Sequence, residues 1–341
     1  MERVSTSQSP PIPICVLLDT NVWFKERLLL SSMGNAFLRS INQQGAKIGF
    51  PQVVEMELMQ LVKKEGKRLV KDWSDTTRAV ENFTGIKRGN TTPPVEDFEK
   101  GLQNRLGRLT ALLERIDFSH SHAQSALKRL ILGIAPSLPK SDEFRDCAIW
   151  ETALELSSSY RVHLITQDKG FYQDRDINRG LEHDLVAECE NAGAKIQIHQ
   201  SIESYLQTFP PPDVSIPLAD IEAMIEKAIR ETVATDSNRK YTLGARLGAA
   251  LHHFLTEYPN LFAIQFKQEF EIPGGLAEDN KSYENASVVV SGNCTYDASS
   301  NNISDESRYF AYGFYVGGVT RCLLRMESVL RPEFLPSILE K

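Results

Sequence analysis

Ile14-Cys15-Val16-Leu17-Leu18-Asp19-Thr20-Asn21 is a short apolar run that stops on an acid. Consecutive apolar residues after a Pro-rich lead are the pattern of a strand buried on both faces. In a parallel α/β sheet, ligands sit outside the carboxyl ends of the strands, so Asp19 is expected to face that crevice. A plainer role, capping the next helix, is open to any Asp in this position. The pattern recurs, however. Arg161-Val162-His163-Leu164-Ile165-Thr166-Gln167-Asp168 is again an apolar strand that ends on Thr and Asp. Two such ends side by side bring two carboxylates together, which is costly unless a cation or a shared proton offsets the repulsion.

At 341 residues the chain exceeds a comfortable single core, and two domains are expected. Cys15, Cys147, Cys189, Cys294 and Cys322 are scattered, odd in number and form no CxxC pair. That spacing argues for a reducing compartment and against a disulfide framework or a zinc ribbon. No apolar run is long enough for a signal peptide or a membrane span, so a cytoplasmic protein without a membrane partner is expected. The net charge of −7 is unevenly spread. Residues 61–140 hold about 15 basic against about 9 acidic residues, whereas residues 213–341 hold about 12 against about 18. A basic segment in an otherwise acidic chain is a candidate phosphate-contacting face, with a merely solvated helix surface as its alternative. Its densest part is Lys63, Lys64, Lys67, Arg68 and Lys71. At helical spacing Lys64, Lys67, Arg68 and Lys71 share one face and Lys63 lies off it.

In chain order, residues 1–12 read as a disordered tail. Ser31 or Ser32 can cap a helix closed by Gly45, and Ala46–Phe50 forms a second strand. Pro51 opens a helix whose stripe Val54, Leu58 and Leu61 includes Glu57. An unpaired charge on a core-facing stripe is expensive, so Glu57 stands out, while Glu55 on another face is expected to be solvated. Residues from about 64 to 139 read as a helical insertion, with the stripe Phe98, Leu102, Leu106, Leu109 and Leu113. His120 and His122 within it read as surface histidines. Ser141 suits an N-cap, and Asp142 and Glu143 suit a helix N-terminus. Asp146 lies a turn further in, at the edge of the apolar face of Ile149, Trp150 and Ala153. After the Asp168 strand come a helix near Asp184–Asn191 and a last strand Lys195–Ile198. The alternation predicts an α/β sandwich with a mostly parallel sheet.

Asp19, Glu57, Asp146 and Asp168 thus make a candidate quartet, two from strand ends and two from neighbouring helices. No Ser or Cys nucleophile pairs with a His, and no Gly-rich phosphate loop follows the first strand. Converging carboxylates with few cationic neighbours in sequence suit Mg²⁺ or Mn²⁺, which polarise a phosphoryl group and activate water. Residues from about 13 to 200 resemble the PIN-domain nucleases, a metal-dependent family acting mainly on RNA. The resemblance rests on Leu-Leu-Asp19-Thr20-Asn21, Val53-Val54-x-x-Glu57-Leu58, Asp146-x-x-Ile149-Trp150-Glu151 and Ile165-Thr166-x-Asp168-Lys169-x-Phe171. It implies that Asp19, Glu57, Asp146 and Asp168 are the acidic metal ligands. It also implies that Asn21 and Thr166 support them, and that single-stranded RNA is the substrate. The insertion is much longer than in compact toxin members of the family.

The resemblance stops near residue 209. Past Pro210-Pro211-Pro212, a linker, residues 213–341 read as a smaller α+β domain. It has one amphipathic helix (Leu218–Val233) and an antiparallel meander with turns at Gly274-Gly275, Asp297–Asn302 and Gly317-Gly318. His252-His253 reads as a core or surface pair. This domain leaves room for a homodimer contact or a regulatory partner. The whole reads as a metal-dependent endoribonuclease, beside two alternatives: a DNA-directed structure-specific nuclease and a non-catalytic PIN-like binding scaffold.

Overall fold

The computed structural model describes residues 12–87, 92–137, 143–235, 242–273, 276–278, 281–283, 286–304, 309–316 and 319–328. The tail 1–11, the expected cap Ser141, Asp142, and the turns Gly274-Gly275 and Gly317-Gly318 lie outside them. The chain divides into two units, residues 1–28 with 40–205, and residues 29–39 with 206–341.

The first unit is built on a five-stranded, all-parallel sheet. Its strands are β1 (Ile14–Leu18), β2 (Lys47–Pro51), β3 (Leu113–Ile116), β4 (Arg161–Ile165) and β5 (Ile196–His199), in the order β3-β2-β1-β4-β5. Cys15, Val16, Leu17 and Leu18 are fully buried, as the unbroken apolar run required. The chain leaves β1 toward β2 and later leaves β4 toward β5, on the opposite side. The ends of β1 and β4 therefore border a crevice where the winding reverses, the usual ligand position in such sheets.

The helices up to residue 206 follow from local signals; the one over residues 32–44 has its first eight residues in the second unit. The short α1 (Thr20–Lys25) leaves β1 directly, and α2 (Ser32–Gln44) starts where Ser31 Oγ accepts the Gly34 amide at 2.9 Å. The 33-residue α3 (Gln52–Thr84) buries Val54 and Leu58 and ends at Gly85, whose φ of 69° suits a residue without Cβ. α4 (Glu96–Leu109), α5 (His120–Leu132), α6 (Phe144–Ser157), α7 (His183–Ala192) and α8 (Ile202–Leu206) complete the set.

Four expectations need correcting. Residues 64–139 are not helical throughout, because Leu113–Ile116 is a strand of the central sheet, paired to β2. Leu113 therefore leaves the stripe, and α4 ends at Leu109. Four residues are too few to show a two-residue period against flanking helical pattern. His122 is buried rather than superficial: its Nδ1 accepts the Ser119 amide in a capping box, and its Nε2 lies 2.6 Å from Glu155. Glu55 is not simply solvated, since Arg115 of β3 holds both its oxygens at 2.9 and 3.0 Å. The short α1 was not foreseen.

The second unit contains α9 (Leu218–Thr235) and an antiparallel sheet. Its strands are β6 (Arg246–Leu255), β7 (Leu261–Ile272), β8 (Leu276–Glu278), β9 (Lys281–Tyr283), β10 (Ala286–Asp297), β11 (Asn302–Ser304), β12 (Tyr309–Val316) and β13 (Val319–Ser328). The main sheet runs β13-β12-β10-β7-β6, with β11 beside β10, while β8 and β9 form a separate pair. Ile221, Ile225, Ile229 and Val233 recur every four residues on α9. They share a core with Phe262, Ile264, Phe266, Phe270 and Ile272, every second residue of β7 except Gln268. Gln268 is buried and donates to the Glu222 carbonyl at 3.0 Å. β6, which holds His252 and His253, is a strand the sequence pattern did not reveal, since its first half is exposed.

One buried cation ties three helices of the first unit together. Arg129 on α5 is 6 % exposed and donates to Glu151 of α6, to Glu188 of α7 and to the Ala135 carbonyl, at 2.5, 2.5 and 2.8 Å. Trp150 Nε1 donates to the other oxygen of Glu188 at 2.9 Å. Arg129→Ala should cost about 3 kcal/mol in denaturant unfolding, because Glu151, 15 % exposed, loses the cation that made its burial tolerable, while Glu188, at 35 %, is partly solvated. A loss below about 1 kcal/mol would mean that solvent satisfies them equally well.

Candidate active site

The register between β1 and β4 sets the geometry. Leu18 lies opposite Ile165, so the residues that follow, Asp19 and Thr166, meet at the sheet edge. The Asp19 amide donates to the Ile165 carbonyl at 3.0 Å, and the Thr166 hydroxyl donates to Asp19 Oδ2 at 2.8 Å. Asp19 is only 5 % exposed. Burial holds its carboxyl above the usual range, helped by nearby Asp168; the Thr166 hydroxyl and the amides of Thr20 and Asn21 pull the other way.

Thr166 also fixes Asp168. Its hydroxyl oxygen accepts the Asp168 amide at 3.0 Å, and Asp168 Oδ1 accepts the Gly170 amide at 2.7 Å. Gly170 is required here: a Cβ would stand 2.3 Å from the Pro136 carbonyl oxygen and 3.0 Å from Asp168 Oδ1. Tyr172 closes the floor, donating from its hydroxyl to the Thr166 carbonyl at 2.7 Å.

Asp146 lies in the first turn of α6. Its carboxyl is pushed up to about 7, first by burial, then by Asp168 and Asp19, while Arg145 pulls it down and Glu143 adds to the rise. Three of the four expected carboxylates therefore feel one another. Glu57 on α3 reaches the same neighbourhood by another route. Its Oε2 accepts the Thr20 hydroxyl at 2.8 Å, and its Oε1 is paired with the Arg145 guanidinium. Asn21 is exposed on α1, and its backbone amide is the part that acts on Asp19.

Thr20, Arg145, Gly170 and Tyr172 were not foreseen as parts of the site. Thr20 sits inside the quoted Asp19-Thr20-Asn21 run, and Arg145 sits beside Asp146, so adjacency was the available signal. Glu151, an acid close to Asp146 in sequence, belongs instead to the Arg129 clamp. Of the basic cluster, Lys63 pairs with Glu99 at 2.9 Å, and Arg68 is bound by Glu65 and Asp72 on its own helix. Lys64, Lys67 and Lys71 are exposed and have no acidic partner among the described residues.

The donor set is oxygen only, the chemistry preferred by Mg²⁺ and Mn²⁺. Among the described residues, no three His, Cys, Asp or Glu side chains are gathered closely enough to hold a metal ion as they stand. Asp168 and Asp19 add to the effect of burial in raising the Asp146 carboxyl, and a cation bound nearby would oppose that repulsion. Cys15, Cys147 and Cys294 are buried, and burial pushes their thiols up to about 12, 11 and 12, away from the reactive thiolate.

A family model described as PIN domain matches residues 16–171, from within β1 to just past Asp168. Residues 16–171 thus carry a PIN domain, which suggests a nuclease-like scaffold. Neither curated proteins nor solved structures give a significant match. No helix among the described residues is long and apolar enough to cross a membrane.

The raised carboxyl of Asp146 has a measurable consequence. Because its folded value of about 7 exceeds the usual 3.8, its contribution to stability is fully present below 3.8 and is lost as pH rises through 7. In chelator, Asp146→Asn should raise the thermal midpoint by several °C at about pH 8 and by much less at about pH 5. A difference that stays constant across that range would show that Asp146 titrates as an ordinary carboxyl.

Proposed function

We propose that this protein is a divalent-metal-dependent endonuclease that hydrolyses phosphodiester bonds in single-stranded RNA. The observation that carries the proposal is the convergence of Asp19, Asp146 and Asp168 at the crevice between β1 and β4, where each raises or is raised by another. Asp19, Glu57, Asp146 and Asp168 are the residues that would hold Mg²⁺ or Mn²⁺. Bound there, the ion would polarise the scissile phosphoryl group and lower the pKa of an attacking water. The protein's own contribution is placement. Thr166 holds Asp19 and Asp168 in one geometry, the Gly170 amide fixes Oδ1 of Asp168, and Thr20 aims Glu57. Asn21 and Thr166 are the supporting polar residues. The free, buried thiols suit work in the reducing cytoplasm.

Asp19→Asn removes charge at constant shape. It should abolish cleavage of labelled single-stranded RNA in Mn²⁺ while leaving the circular dichroism spectrum unchanged. Wild-type-rate cleavage by that variant would sink the metal-nuclease assignment. Running single-stranded DNA and duplexes alongside, with a chelator control, decides between RNA and DNA as the substrate.

Strand binding is assigned to Lys64, Lys67 and Lys71, which continue along α3 beyond Glu57. Arg68 shares their face but is neutralised by Glu65 and Asp72, so its share is expected to be smaller. Changing Lys64, Lys67 and Lys71 together to Gln should weaken RNA binding several-fold in Ca²⁺. The slope of log K against log salt should become shallower by close to one unit per lost contact. An unchanged slope would place the RNA on another surface.

A further inference from the structure

Arg145 is the one cation paired directly into the candidate quartet among the described residues. Its guanidinium meets Glu57 Oε1, and its position beside Asp146 at the start of α6 puts its charge among the other acids. Two observations separate it from a structural ion pair. Its side chain is 57 % exposed, so it can leave without opening the core. Among the described residues it has no second anchor of the kind that holds Arg129, which is nearly buried and bound on three sides. Glu57, by contrast, is only 22 % exposed and keeps its other oxygen on Thr20. The carboxylate is held in place; the guanidinium is the partner free to move.

We propose that Arg145 is an internal counter-ion that a divalent cation displaces from Glu57, so that metal loading and release of Arg145 are one event. This rests on the metal-nuclease assignment above. In the metal-free protein Arg145 neutralises Glu57, the carboxylate held by Thr20, which follows Asp19 in the chain. A divalent cation must compete with it, so Arg145 sets the metal concentration at which the site fills. By linkage, whatever draws Arg145 outward tightens metal binding, and metal binding frees Arg145 by the same factor.

The test is titration of Mn²⁺ alone, with bound metal read from loss of the free-ion electron paramagnetic resonance signal. Arg145→Ala should tighten Mn²⁺ binding at least about five-fold. Arg145→Lys, which keeps the charge without the planar fork, should tighten it less, and gives the same comparison if the alanine variant folds poorly. Lys169→Ala removes an exposed positive charge next to Asp168 without touching Glu57, and should change affinity by less than about two-fold. Equal tightening by Arg145→Ala and Lys169→Ala would mean that only the general field matters and would overturn the exchange. Unchanged or weakened binding in Arg145→Ala, with Mn²⁺ binding still dependent on Asp19, would overturn it while leaving the nuclease assignment intact. Wild-type protein that binds no Mn²⁺, or binds it equally well as Asp19→Asn, would overturn both.

Discussion

Like charges crowded at the ends of two buried parallel strands are the constraint on which the first unit depends. The backbone has no freedom to separate Asp19 from Asp168, because the pairing of β1 with β4 brings their ends together. The repulsion must therefore be met by side chains and protons. Thr166 meets part of it, serving both aspartates with a single hydroxyl. Protonation would meet another part at Asp146, whose carboxyl is raised first by burial and then by Asp168 and Asp19. Arg145 meets a third, lowering the Asp146 carboxyl while pairing with Glu57. Each is a partial answer, and none withdraws the acids from the crevice.

Two arginines show how burial divides structural from exchangeable charge. Arg129 is enclosed by Glu151, Glu188 and a backbone carbonyl, and removing any partner strands the others in a poorly solvated place. Arg145 holds a single acidic partner among the described residues and is more than half exposed, so water can replace it at little cost. The first kind of pair fixes where α5, α6 and α7 stand. It reaches the acids only through the backbone, since the Ala135 carbonyl held by Arg129 precedes Pro136, whose own carbonyl crowds Gly170.

Much of this was legible in the sequence, for physical reasons. Strands buried on both faces must be apolar throughout, so β1 and β4 announced themselves, and with them the placing of Asp19 and Thr166. The parallel sheet and the antiparallel second unit followed from alternation and turn residues. Where the signal failed, it was weak or had no periodic form. β3 is four residues long and flanked by helices, so its apolar residues read as helical. β6 is too exposed over its first half to alternate. The ties of Arg145 to Glu57 and of Arg115 to Glu55 join residues far apart in the chain, and no local pattern encodes them. Arg68 illustrates the converse: Glu65 and Asp72 stand at helical spacing from it, yet the sequence reading counted it with the strand-binding lysines and passed over the acids that neutralise it.

The uninterrupted length of α3 has a consequence of a different kind. Its 33 residues form one rod of about 50 Å, with Glu57 near the start and Lys71 about 21 Å further on. A rod does not stretch, so the interval between the place of grip and the place of scission is built into the protein. On the proposed function, α3 acts as a ruler: a strand anchored at its lysines meets the acids at a set contour distance, and fragment length would carry the imprint of helix geometry rather than of base sequence.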